Sequence, residues 1–98
     1  MTLEEFKASL GGKAPPGLAP ALGALWLDAR GDWAGAHALA QADGGADGSW
    51  VHAYLHRKEG DEGNAGYWYS RARRRPESGP LGAEWEAIAR ELLSRPLA

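Results

Sequence analysis

The chain has no cysteine. That excludes disulfides, zinc–thiolate sites and a thiol nucleophile. It holds one valine, one isoleucine and no alternating β-branched run, so no segment reads as a strand. No stretch approaches the roughly 20 apolar residues of a membrane span. The opening MTLEEFKASL lacks the basic start and long apolar run of a secretory signal. A net charge of −2 gives no long-range pull toward nucleic acid or an anionic membrane. There is no P-loop, no Rossmann fingerprint and no G-x-S-x-G elbow. Ser9, Ser49, Ser70, Ser78 and Ser94 stand in no context that marks a nucleophile. These absences leave an all-α, cytoplasmic protein, without a cofactor, a nucleic-acid partner or a membrane partner, and with binding favoured over catalysis.

What is present is a single domain, residues 1–98. Five tryptophans give so short a chain the means to build a core, because each ring removes a large apolar area from water. Trp26, Trp33, Trp50, Trp68 and Trp85 stand at helical spacing and are expected inside. Apolar recurrence near 100° per residue gives about six helices. Thr2–Leu10 opens with the capping-box spacing of Thr2 and Glu5. Leu18–Arg30 tolerates Pro20 because it falls in the first turn. The third helix, Trp33 to Ala42, is nearly all small residues, with His37 one turn after Trp33.

Asp43–Gly48, DGGADG, reads as a flexible turn, and Ser49–Glu59 as the next helix, capped by Asp47 or Ser49. Asp61 suits the N-cap of a fifth helix that carries Arg71, Arg73, Arg74 and Arg75 to its end, where cations complement the dipole, before Pro76 stops it. Gly66 inside that helix implies a close backbone neighbour. Leu81 to Ser94 is the last helix, with Glu84, Glu86, Arg90 and Glu91 mostly outside, and Arg95–Ala98 forms a tail. The breaks fall at residues 11–17, 30–32, 43–48, 59–61 and 76–80. The expected core is Leu25, Val51, Tyr54, Leu55, Ala65, Trp68, Ile88 and Leu92.

Aligning Gly31-Asp32 with Gly60-Asp61 matches Ala24 with Ala53, Ala36 with Ala65 and Leu39 with Trp68. Two helical hairpins of similar design therefore follow one another, each unable to bury its apolar face alone. In the second, Ala53, Gly60-Asp61, Ala65, Tyr69, Ala72 and Pro76 resemble the tetratricopeptide repeat. In the first, Ala24, Gly31-Asp32 and Ala36 fit, Ala40 replaces the aromatic, and the repeat is shorter than the family's roughly 34 residues. The resemblance covers about half the chain and implies stacked helix pairs and peptide or protein binding. The run WVHAYLHRKEGD…NAGYWYSRA also looks like a signature of small bacterial proteins.

The polar residues of this hairpin carry the candidate chemistry. His52 and His56 lie four apart, one turn above each other on a helix. Glu59 shares their face, and His37 can join from the preceding helix. Such a set suits a divalent ion, but the residue after His52 is Ala53, so the metalloprotease pattern is absent. With Asn64, Tyr67 and Arg71, the same side chains can instead line a binding groove. The expected site is that groove: His37, His52, His56, Glu59, Asn64, Tyr67 and Arg71, with no metal. The expected function is a non-enzymatic module that binds a protein or peptide, a second copy of itself included. The alternative is a metal- or small-molecule-binding protein, a hydrolase among the options, built on the His/His/Glu face.

Overall fold

The structure, a computed structural model that describes residues 1–95, has six α-helices and no strand among those residues. They are α1 Leu3–Ser9, α2 Pro20–Ala29, α3 Trp33–Ala42, α4 Ala46–Lys58, α5 Glu62–Ala72 and α6 Leu81–Leu93. The fold is all-α, as expected; residues 96–98 of the expected tail lie outside the described residues.

Local chemistry sets most of the ends. The Thr2 hydroxyl accepts from the Glu5 N–H at 3.1 Å and the Glu5 carboxylate accepts from the Thr2 N–H at 2.8 Å, which is the capping box read from the sequence. Asp32 and Asp61 cap α3 and α5 by accepting from the N–H groups of Gly35 and Asn64. Gly31 and Gly60 follow α2 and α4 with φ of 86° and 90°, left-handed values that close a helix at little cost in glycine.

Four expectations need correction. α2 starts at Pro20 and not at Leu18, because Ala19, preceding a proline, is held extended with ψ 153°. Asp43–Gly48 is not an open turn: α4 begins at Ala46, and neither Asp47 nor Ser49 caps it. The turn is closed by the Asp43 carboxylate, which accepts from the Gly45 N–H at 2.9 Å. Glycine at 48 permits this, since a Cβ there would meet the Asp43 carbonyl oxygen at 2.4 Å. α5 ends at Ala72, where Arg73 takes a left-handed φ of 58°, so of the arginine cluster only Arg71 lies in the last turn. Gly66 has no close neighbour: a Cβ there would meet nothing within 4 Å.

α4 is the axis of the packing. It lies against α2, α3, α5 and α6, and every residue from Gly48 to His56 is buried. The one-sided stripe of the sequence is thus covered all round. Leu25, Val51, Tyr54, Leu55, Ala65, Ile88 and Leu92 are buried as expected, together with Phe6, Tyr69, Trp26, Trp50 and Trp85. Trp68 is not a core residue, nor is Trp33; both are only partly buried against the core, because their rings serve the histidine face described below.

Two carboxylates lie inside. Glu84, expected outside, is buried: it accepts from Arg57 at 2.8 Å and from the Tyr69 hydroxyl. Arg57 also donates to the Gly79 carbonyl, tying the α5–α6 connection to α4. Asp28 accepts from the Tyr54 hydroxyl at 2.8 Å and from Lys58 at 2.9 Å. Burial first, and then the bond to the carboxylate, raises both tyrosine hydroxyls above their ordinary range. Each acid has a hydroxyl and a cation as partners, the condition under which a buried charge is tolerated.

Candidate functional site

α3, α4 and α5 bring their aromatic and polar side chains to one face. On α3, Trp33 and His37 are one turn apart and their rings stack at 4.9 Å with 15° between planes. The Trp33 indole N–H donates to the Leu55 carbonyl at 3.0 Å, so α4 itself fixes the orientation of that stack. On α4, His52 and His56 stack at 4.8 Å, the consequence of their i, i+4 spacing. His37 meets both edge-on, at 4.5 Å from His52 and 5.2 Å from His56. On α5, Trp68 lies flat on His52 at 3.9 Å. The Arg71 guanidinium stands 5.4 Å over Trp68 and 5.8 Å over Tyr67. The result is a continuous column, Trp33–His37–His52–Trp68–Arg71, with His56 beside it.

The polar contacts are specific. The Nε2 atoms of His37 and His52 are 2.9 Å apart, so one donates to the other. Nδ1 of His56 lies 2.7 Å from a Glu59 carboxylate oxygen; an ionised carboxylate only accepts, so Nδ1 carries the hydrogen. Burial lowers the His52 pKa to about 4, with His37 and His56 adding to the shift. His37 is lowered for the same reasons, chiefly burial. Both rings are therefore neutral near pH 7. One nitrogen from each of His37, His52 and His56 lies within 4.8 Å of the others, and so do single ligand atoms of His56, Glu59 and Asp61.

Of the expected site residues, His37, His52, His56 and Glu59 come together. Tyr67 and Arg71 join through Trp68, with Arg71 donating to the Tyr67 hydroxyl at 3.3 Å. Asn64 does not join through any polar contact: its amide donates to Asp61 at 2.8 Å as part of the α5 N-cap. The sequence reading assigned Trp33 and Trp68 to the core and so missed them as walls of the site. The available signal was their one-turn spacing, Trp33 to His37 and Trp68 to Arg71 (four and three residues). Within the face His52 and His56 are buried, and Tyr67 is exposed. Two hollows, of about 430 and 280 Å³, open elsewhere, the larger beside Leu22, Leu92 and Arg95 and the smaller beside Asp28 and Trp85; no residue of the histidine face lines either.

No family model, no curated protein and no solved structure matches this chain.

Proposed function

We propose that this chain is a helical-hairpin module that binds a protein or peptide partner through the outer edge of the histidine face, with Tyr67 and Arg71 as its anchors. The observation that carries the reading is Tyr67, a large ring left 54% exposed on a helix whose other aromatics are buried or half-buried. Arg71 lies over it and over half-buried Trp68, and its one polar contact among the described residues is the Tyr67 hydroxyl. Tyrosine, tryptophan and arginine are the residues that concentrate binding energy at interfaces. A guanidinium held against aromatic rings, with its donor fork open, suits a carboxylate of the partner. The stacked helix pairs implied by the tetratricopeptide-like pattern support the same use.

The test is site-specific photocrosslinking in cells. A photoreactive side chain at position 67 is expected to capture a defined partner, while one at exposed Ala87 on α6 is not. Arg71→Ala should weaken the purified complex by at least about 1–2 kcal/mol, the range for interface anchors. Equal capture from both positions would defeat the proposal.

A further inference from the structure

We propose that His37, His52 and His56 form a binding site for one borderline-soft divalent ion of the zinc, copper, nickel or cobalt type, with Glu59 orienting His56 as a ligand. This goes beyond partner binding at Tyr67 and Arg71 and does not depend on it.

The geometry is close to what such an ion needs. Metal–nitrogen bonds of about 2.0–2.1 Å at tetrahedral angles separate two ligand nitrogens by roughly 3.3 Å. The His37 and His52 Nε2 atoms are 2.9 Å apart, so the pair has to open by only a few tenths of an ångström. The third imidazole already offers a nitrogen within 4.8 Å. His56 is held in the required tautomer, because its Nδ1 hydrogen is engaged by Glu59 at 2.7 Å, which leaves Nε2 bare. A carboxylate gripping the far nitrogen of a ligating imidazole is the usual support of a histidine ligand. His37 and His52 need one adjustment. Whichever ring donates in their mutual bond must carry its hydrogen on Nδ1 instead, so that both Nε2 lone pairs face the ion. That is an exchange of tautomers, with no net loss of protons and no change in oxidation state.

The rings are also packed in place. Trp33 stacks on His37 and Trp68 on His52, so little side-chain freedom is lost on ligation. The donor set selects the ion. Three imidazoles suit zinc, copper, nickel and cobalt, whereas magnesium and calcium take oxygen ligands. Three protein donors leave at least one coordination position for water or an exogenous group.

The experiment is a titration of chelator-stripped protein with Zn²⁺, Co²⁺ and Mg²⁺ by calorimetry and tryptophan fluorescence. The expected result is one equivalent of Zn²⁺ bound at micromolar affinity or tighter, tetrahedral cobalt absorption, and no response to Mg²⁺. Trp33 and Trp68 touch the ligating rings, so Cu²⁺ should quench a fraction of the emission that saturates at the same stoichiometry. His37→Gln, at a half-buried position on α3, is expected to weaken Zn²⁺ at least about tenfold, and Glu59→Gln about tenfold, the lower end of the effect of removing a ligand's supporting partner. Circular dichroism checks that both variants fold. Nitrogen NMR of the wild-type imidazoles supplies a readout that needs no variant: the Nε2 resonances of all three histidines should move to metal-bound positions. No saturable Zn²⁺ binding by the wild type would overturn the proposal. So would an ion indifferent to His37→Gln and lost in Asp61→Asn, which would place it on the His56, Glu59 and Asp61 set.

Discussion

Position by position, the same side chain does different work according to what covers it. His52 is buried between two rings, and the folded chain resists its protonation. Its folded pKa, about 4, lies below the roughly 6.5 of an exposed imidazole. In the metal-free protein the unfolded state therefore binds more protons between those values. Stability is full above about pH 6.5 and falls as the pH drops toward 4, by up to about 3 kcal/mol for a shift of this size. His37 shifts in the same direction, while Glu59 opposes its shift. Urea melts at stepped pH in the presence of chelator measure the slope, and His52→Phe, which keeps a ring against Trp68, should flatten it. A wild type as stable at pH 4.5 as at 7 would show that His52 gains a proton freely in the fold. Spacing alone made His52, His56 and Glu59 legible as one face. It could not reveal Asp28 and Glu84 as buried, because their partners are distant in sequence: Tyr54 and Lys58 for one, Arg57 and Tyr69 for the other.

Helix ends were readable where a local side chain sets them and unreadable where a distant backbone does. Thr2, Asp32 and Asp61 cap through atoms three residues away, and the sequence pattern contains both partners. Gly48 is helical with Asp43 lying where a Cβ would stand, a contact that no periodicity encodes. α5 carries two residues that its backbone does not favour. Gly66 sits in a helix with open space at its missing Cβ, which costs roughly 1 kcal/mol relative to alanine. Arg73 holds a φ of 58°, a conformation that costs a side chain roughly 1–2 kcal/mol and glycine little. Gly66→Ala and Arg73→Gly should therefore both stabilise, each by about 0.5–1 kcal/mol, or several degrees in Tm for a chain of this length. Thermal melts of the two variants and their double check this. A lower Tm for Gly66→Ala would mean that a methyl group meets something there after all.

Across the molecule, the sequence suggested a row of hairpins, each resting on the next. In repeat arrays of that kind each unit contacts only its neighbours and stability accumulates unit by unit. α4 stands at the centre of the packing here. α4 touches α2, α3, α5 and α6, and the two buried acids tie it across the fold: Tyr54 and Lys58 of α4 hold Asp28 of α2, and Arg57 of α4 holds Glu84 of α6. Removing the α2–α3 hairpin would uncover α4, and removing the α4–α5 hairpin would leave the buried Asp28 and Glu84 without their cations, at a cost of about 3–5 kcal/mol for a broken buried pair. The hairpins are therefore expected to unfold together. α1 is the exception. Among the helices of the described residues its backbone packs only on α6, and it is fastened by Phe6 against Trp85, by Ser9 to Trp26 and by Arg30 to the carbonyls of Leu10 and Gly12. Few contacts of this kind mark a segment that opens before the rest. Native-state hydrogen exchange should show the amides of α2 to α6 in one slow class, with Val51 to Leu55 exchanging only through global unfolding, and the amides of α1 in a faster class of lower denaturant dependence. Circular dichroism and tryptophan fluorescence should trace the same main transition. Separate slow classes for the α2–α3 and α4–α5 pairs would show that the hairpins behave as independent repeats, and that the buried Asp28 and Glu84 networks do not couple them.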